Sequence, residues 1–387
     1  MRVLRVITSM NPENGGPCQG IRNSIPALEK IGVYNEVVCF DSPDAGFLGN
    51  DSFKIHAIGP SKGPYAYCPS LHQWLLDNFS RFDAVIIHGL WLYNNFGTYK
   101  AWKKYKSKHG NAPKLYVMPH GMLDPYFQKA PERKLKAIRN SVFWKLFEKR
   151  AVNGATGVLF TCQEELILAR QTFNDYKPEQ ELNVGYGIQQ PPVYMPAMTE
   201  AFLEKCPQLK DSKFILFLSR IHEKKGVDLL VKAYLKLKDN NIDVAPLVIA
   251  GPGLDTDFGQ EIKKLAEKDS NIIFPGMLSG NSKWGAFYNC EAFILPSHQE
   301  NFGISVVEAM ATGSPVLISK QVNIWREIDN GNAGLIGNDT EEDTYKILFD
   351  WSNLPDEEKK AMGNNALEVY KAKFTIEQAA LQMVSKI

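Results

Sequence analysis

What most constrains the fold of this chain is a rhythm that runs through all 387 residues: short apolar runs rich in β-branched side chains alternate with longer segments of helical spacing. Strand-like runs fall at 3–8, 36–40, 84–88, 115–118 and 157–160, and again at 214–218, 246–250, 272–274, 292–295 and 315–318. Helical patterns lie between them, among them 19–30, 133–152, 226–239, 259–268 and 304–312. Short strands separated by helices point to parallel sheets in α/β layers. Ten strands divided five and five predict two doubly wound domains, in keeping with a length that suits two or three domains of roughly 150 residues. The break is expected in the proline-rich stretch from Gln189-Gln190-Pro191-Pro192 to Pro207, giving domains of residues 1–190 and 191–374. The final segment, 375–387, places Ile376, Ala379, Ala380, Met383, Val384 and Ile387 at helical spacing, an apolar side that can pack back on either domain, the first among them. Ligands of open α/β sheets gather beyond the carboxyl ends of the strands, so a binding cleft is expected where two such domains face each other.

Charge separates the halves. Residues 1–193 hold 23 Lys and Arg against 16 Asp and Glu, whereas residues 194–387 hold 21 against 27, although the whole chain carries only +1. Different partners for the two halves follow, and nothing in this balance calls for nucleic acid. The six cysteines are scattered, with no metal-ligand spacing to histidine, and read as reduced thiols. The apolar run at 3–7 is too short for a signal peptide, and no window nears the roughly 20 apolar residues that span a bilayer. The expected location is the cytoplasm, at most peripheral to a membrane.

Two carboxylates, Glu300 and Glu308, bracket the run Glu300-Asn301-Phe302-Gly303-Ile304-Ser305-Val306-Val307-Glu308. That spacing puts one carboxylate on a loop and the other near the start of a helix. The N–H groups of Gly303 and Ile304 would face an anion at the helix N-terminus, while the carboxylates accept hydroxyl donors, Glu300 from a sugar and Glu308 from a ribose. Ordinary polar positions flanking an amphipathic helix would read the same way. Upstream, Ser219-Arg220-Ile221-His222-Glu223-Lys224-Lys225-Gly226 offers Arg220 and Lys225 as a cation pair for a diphosphate, or simply a charged helix start. Gly251, in Ala250-Gly251-Pro252-Gly253, supplies a turn with little bulk; Met277 and Leu278 follow a strand end where main-chain groups could hold a nucleobase. Asp255-Thr256-Asp257 has the form of a metal-binding dyad, yet its place before a helix favours capping, so no metal is expected.

In the first half, Gly15 and Gly16 sit between the first strand and the first helix, where glycine lets backbone approach a phosphate or sugar, or simply makes a turn. This is not a dinucleotide fingerprint. Two strands end in His-Gly, at His88 and His120; histidines at strand tips can exchange hydrogen bonds with sugar hydroxyls, and Trp91 and Asp124 accompany them as acceptor-side candidates. The basic excess concentrates in the segments from Lys100 to Lys114 and from Lys129 to Arg150. In the second, Leu135, Ile138, Val142, Phe143, Leu146 and Phe147 form an apolar stripe. It is either the buried side of a helix with a solvated basic face or an attachment to anionic lipid or a lipid pyrophosphate.

Taken together, Pro119-His120-Gly121-Met122-Leu123-Asp124-Pro125, the Arg220 to Lys225 segment, Ile249-Ala250-Gly251-Pro252-Gly253 and the Glu300–Glu308 element followed by Ala309-Met310 resemble the retaining GT-B glycosyltransferases of family 4. The resemblance covers nearly the whole length and rests on the order and spacing of motifs that are individually weak. It implies that Arg220 and Lys225 hold the donor diphosphate, Glu308 the ribose, Glu300 with Asn301, Phe302 and Gly303 the transferred sugar, that Gly16 lies by the phosphates and that His120 contacts the donor sugar. It further implies metal-independent chemistry in which acceptor attack and leaving-group departure share one face. After Asn183 this chain reads Val184-Gly185-Tyr186-Gly187, where many relatives carry Pro-Asn-Gly-Val, so a contact made by that Asn is in doubt here. The leading expectation is a hexosyltransferase that uses UDP-glucose, with no separate cofactor, and acts on a saccharide or lipid-linked acceptor in polysaccharide or glycolipid synthesis. A GDP-mannose-dependent mannosyltransferase and a sugar-nucleotide epimerase of related fold are the alternatives.

Overall fold

A parallel strand can be followed by its neighbour only after a crossover, and most of the crossovers in this chain are helices. A computed structural model of the protein describes residues 1–130, 133–210 and 212–387. Pro131 and Glu132, inside the basic segment from Lys129 to Arg150, lie outside the described residues. The fold divides into two units, Met1–Gly187 with Ile376–Ile387, and Ile188–Thr375.

Among the described residues the first unit holds seven strands: β1 (Arg2–Val6), β2 (Tyr34–Cys39), β3 (Lys54–Ala57), β4 (Ala84–His88), β5 (Lys114–Met118), β6 (Gly157–Phe160) and β7 (Glu181–Asn183), in the order β3-β2-β1-β4-β5-β6-β7. All neighbours are parallel. Alternate residues feed two cores. Leu4, Val6, Val85, Ile87, Leu115 and Val117 join one face, and Val3, Ala84, Ile86, Tyr116 and Met118 the other. Both faces are therefore covered, which is why the central strands read as unbroken apolar runs. The helix Ile376–Val384 supplies Ile376, Ala380 and Met383 to the second of these cores.

The second unit holds β8 (Ile215–Leu218), β9 (Leu247–Ala250), β10 (Ile272–Gly276), β11 (Ala292–Leu295), β12 (Val316–Ser319) and β13 (Gly334–Gly337), ordered β10-β9-β8-β11-β12-β13 and again all parallel. In each unit the strand order reverses once, between β1 and β4 and between β8 and β11. The crevice at such a reversal is where open α/β sheets bind their ligands.

Ten strands were expected, and the described residues hold thirteen. The three additions, β3, β7 and β13, are all edge strands. Their sequences Lys-Ile-His-Ala, Glu-Leu-Asn and Gly-Leu-Ile-Gly are short and half-buried, so they lack the continuous apolar signal of the interior strands.

A second correction concerns the basic helix. It runs through Lys134–Phe143, a π-helical turn at Trp144–Glu148 and Lys149–Gly154. Its apolar stripe is only partly a buried side: Leu135, Ile138, Val142 and Leu146 are 83, 62, 49 and 52% exposed, while Phe143 and Phe147 are half-buried. The inward positions are Asn140, Trp144 and Glu148, four residues apart. Trp144 stacks on Phe173 with ring centroids 4.4 Å apart, and of the expected stripe only Phe143 and Phe147 pack beside it, each against the Tyr65 ring. Among the described residues no helix is long and apolar enough to cross a membrane. All six thiols are free and buried.

Candidate functional site

In the second unit the loops that follow β8 and β11 are stitched together. The Lys224 carbonyl accepts from the His298 N–H and the Ser297 hydroxyl, each at 2.9 Å, and Ser319 Oγ donates to the Ser297 carbonyl at 2.5 Å. Gly226 turns the chain with φ +66°, and a side chain there would put its Cβ 2.1 Å from the Pro296 carbonyl oxygen, so only glycine fits. The turn aims Lys225 inward, where its buried ammonium pairs with Glu300. Glu300 is held in turn by its backbone, whose N–H donates to the Gln321 carbonyl at 2.8 Å while its own carbonyl accepts from the Asn323 N–H at 3.0 Å. Arg220, on the same loop as Lys225, is exposed and has no ion-pair partner among the described residues. The expected convergence of two cations thus resolves into a paired Lys225 and an unpaired Arg220.

Glu308 lies in the second turn of the helix Ile304–Ala311, which begins after Gly303 in a left-handed conformation, φ +76°. Lys283 Nζ sits 2.7 Å from Glu308 Oε1. Burial nevertheless pushes the Glu308 carboxyl above its ordinary range, Lys283 offsetting only part of the desolvation. Lys283 escaped the sequence reading: it stands alone on the helix Gly280–Asn289 and meets Glu308 across 25 residues, a pairing with no local signature.

The remaining donor-side candidates have varied surroundings. Asn301 Oδ1 lies 3.5 Å from Asn323 Nδ2, the Phe302 ring packs edge-on against Phe374, and Ile304 is exposed. Met277 is exposed and Leu278 buried. Gly251 has a packing reason for its identity, since a Cβ there would stand 1.9 Å from the Ser219 carbonyl oxygen. Thr256, not an aspartate, caps the helix Asp257–Ala266 by accepting from the Gly259 N–H at 3.0 Å. Among the described residues no group of three or more His, Cys, Asp or Glu side chains gathers as a metal site would require.

In the first unit, the loop after β1 is anchored by Asp41, which accepts from Ser9 Oγ at 2.6 Å and from the Met10 N–H at 2.7 Å. Gly15 then takes φ +63°, and the helix Gly16–Lys30 starts with Gly16. Here a pocket is lined by Ser9, Asn14, Gly15, His88, Gly89 and Asn94, at the reversal between β1 and β4. His88 closes β4 and is buried, not on an open rim, with its Nδ1 2.9 Å from His120 Nε2. His120 sits in a left-handed conformation, φ +53°, and the following Gly121 N–H donates to the buried Glu165 carboxylate at 2.5 Å. Burial, and then the positive charge of Arg5, hold the His120 pKa down to about 4; His88 is also held well below its ordinary value, by burial, His120 and Arg5 in that order. Both imidazoles are neutral at physiological pH. Trp91, φ +72°, packs its ring against Phe173 at 6.1 Å, and the buried Asp124 accepts from the Tyr126 N–H at 2.9 Å. Tyr186 and His120 line a second, narrow pocket with Arg5 and Met383.

Comparison with known proteins agrees with the architecture. Anabaena Alr3699/HepE in complex with UDP and glucose superposes with a TM-score of 0.71 over 100% of this chain and 98% of that one, at 15% identity. A glycosyltransferase from Rickettsia africae gives 0.74 over 99% and 97%, at 17% identity. At these identities the likeness is one of fold: two parallel-sheet α/β domains, as in GT-B glycosyltransferase structures. An uncharacterized glycosyltransferase of Methanocaldococcus jannaschii is 29% identical over 146 residues, 36% of this chain and 37% of that protein. The 2-deoxystreptamine N-acetyl-D-glucosaminyltransferase of Niallia circulans is 28% identical over 160 residues, 41% and 39% of the two chains. The chain thus matches less than half the length of these curated relatives. Within the second unit, residues 199–369 match the family model described as glycosyl transferases group 1.

Proposed function

We propose that this protein is a retaining hexosyltransferase that moves glucose from UDP-glucose to a saccharide or lipid-linked saccharide, in polysaccharide or glycolipid synthesis, by a front-face route that needs no metal ion. The observation that carries the reading is the Lys225–Glu300 pair beside the unpartnered Arg220, at the strand-order reversal of a sheet inside the region matched to glycosyl transferases group 1. UDP-glucose is favoured as donor because the structurally similar HepE is described in complex with UDP and glucose.

In this reading Arg220 and Lys225 donate hydrogen bonds to the diphosphate as its charge grows in the transition state, the moment at which such donors accelerate a reaction. Lys225 can do so without abandoning Glu300, since an ammonium has three N–H donors. Glu300, with the Asn301, Phe302 and Gly303 backbone, positions the sugar, and Glu308, braced by Lys283, accepts from the ribose hydroxyls. Gly251, Met277, Leu278 and Ile304 shape the nucleotide's surroundings. In the first unit Gly15 and Gly16 open the approach to phosphate, His120 offers an N–H to a sugar hydroxyl, and His88, Trp91 and Asp124 support the acceptor side. The bond from the anomeric carbon to the diphosphate oxygen breaks, the acceptor oxygen bonds to that carbon on the same face, and its proton passes to the departing phosphate. The exposed stripe Leu135, Ile138, Val142 and Leu146, flanked by Lys134, Lys136, Arg139 and Lys145, would lay this unit on an anionic membrane surface.

Mass spectrometry of products from a panel of UDP-sugars and GDP-mannose, each offered with saccharide and lipid-linked acceptors, tests the reading. Glucosylated acceptor formed from UDP-glucose is expected. Product from GDP-mannose alone would replace the donor, and an isomerised nucleotide sugar formed without acceptor would replace the reaction.

A further inference from the structure

Arg5 is the charged residue in the interior of β1, on the face otherwise built from Val3, Ile86 and Met118, and it is 2% exposed. No carboxylate compensates it among the described residues: its Nε donates to Asn35 Oδ1 at 2.9 Å, its Nη2 reaches Met383 Sδ at 3.7 Å, and its Nη1 lies 3.4 Å from His88 Nε2. Burial lowers its pKa only to about 10, so it remains a cation at neutral pH. A buried cation without a counter-ion is destabilising, a cost that an apolar side chain of similar length at this position would avoid.

The chemistry of the contacts gives this cation a task. A guanidinium has only donors, so His88 Nε2 must present its lone pair and His88 must carry its proton on Nδ1. That proton faces His120 Nε2 at 2.9 Å, so His120 Nε2 must accept as well. Its own proton is then on Nδ1. The reverse tautomer would bring two N–H groups against each other.

We propose that Arg5 is a positioning residue which, through His88, locks His120 in the Nδ1-protonated tautomer, so that His120 presents an N–H donor, never a lone pair, to the substrate hydroxyl it contacts. The proposal rests on the reading that His120 touches a sugar. The loop is built to keep that presentation rigid: Asn94 Nδ2 donates to the His88 carbonyl at 2.8 Å, and Glu165 holds the Gly121 and Thr161 N–H groups at 2.5 and 2.8 Å.

The test uses the full chain with ¹⁵N-labelled histidine. In the wild-type protein the imidazole spectrum is expected to show both His88 and His120 protonated on Nδ1 and bare on Nε2, assigned through His88→Gln and His120→Gln. Arg5→Met should release that pattern and lower kcat by about 10- to 100-fold, the range typical of outer groups that orient a functional histidine, with KM for the donor within about twofold. Arg5→Lys, again a donor-only cation, should restore the Nδ1 pattern and most of kcat. A wild-type His120 protonated on Nε2 overturns the proposal even if Arg5→Met fails to fold, and so does an Arg5→Met protein that keeps the Nδ1 pattern. The Nδ1 pattern in a wild-type protein that turns over no nucleotide sugar supports the lock and overturns the transferase reading instead.

Discussion

Arg220 and Lys225 stand five residues apart on one loop and meet different fates, because the left-handed turn at Gly226 aims Lys225 inward while Arg220 points to solvent. Removing Arg220 should therefore leave the fold untouched, since exposed substitutions change stability by about 0.5 kcal/mol or less. Arg220→Ala is expected to keep its melting temperature and lose about 10²- to 10³-fold in kcat, the usual consequence of deleting a donor that acts on developing charge. Steady-state kinetics beside a thermal melt separate the two effects. Glu148 carries a different signal. Burial holds its carboxyl up to about 7 against an ordinary 4.5, with Asn95 and the Trp91 N–H offsetting part of the cost. A carboxyl whose pKa rises on folding stabilises the protein while protonated, fully so below about pH 4.5, and that contribution is lost as the pH rises through 7. Urea unfolding should show this group removing up to about 3 kcal/mol between pH 4.5 and 8, a slope that Glu148→Gln flattens. At this scale the sequence was legible where chemistry and spacing are local, as in the turn joining Lys225 to Gly226. It was silent about Lys283 and Arg5, whose partners lie 25 and 83 residues away and leave no periodic trace.

Elements were legible in proportion to how fully they are buried. β4, β6 and β11 were read with their observed ends because both faces of each are apolar and covered. The edge strands β3, β7 and β13 were not, since an edge needs only one neighbour and tolerates Lys54, Glu181 and a pair of glycines. The basic helix failed for a related reason: periodicity identifies an apolar stripe but cannot say which side of a helix faces the core. Trp144 and its stack on Phe173 took the inward position, and Leu135, Ile138, Val142 and Leu146 were left outside. If that stripe meets a membrane, changing all four residues to Gln should leave the melting temperature unchanged or raised, while cosedimentation with phosphatidylglycerol vesicles falls at least about tenfold. Equal vesicle binding by the variant would assign attachment to the lysines alone, and strong destabilisation would mean the stripe is packed after all.

For the whole molecule, the paired-sheet architecture followed from the alternation of strands and helices, whereas the chemistry did not follow from the fold, because α/β folds of this kind serve many reactions. What narrows the chemistry is the second unit, where the region matched to glycosyl transferases group 1 contains Arg220, Lys225, Lys283, Glu300 and Glu308. Its acidic balance is offset at the site by those cations, two of them already engaged with carboxylates, so under the proposed reading an incoming diphosphate would meet a free guanidinium and a shared ammonium. The most direct test is calorimetric titration of the full chain with UDP, GDP and ADP. UDP is expected to bind one to one with a Kd in the micromolar range, about −8 kcal/mol, with GDP and ADP at least about tenfold weaker, and Arg220→Ala is expected to weaken UDP by about tenfold or more. Absence of binding by all three nucleotides, or UDP affinity unchanged in Arg220→Ala, would contradict the account.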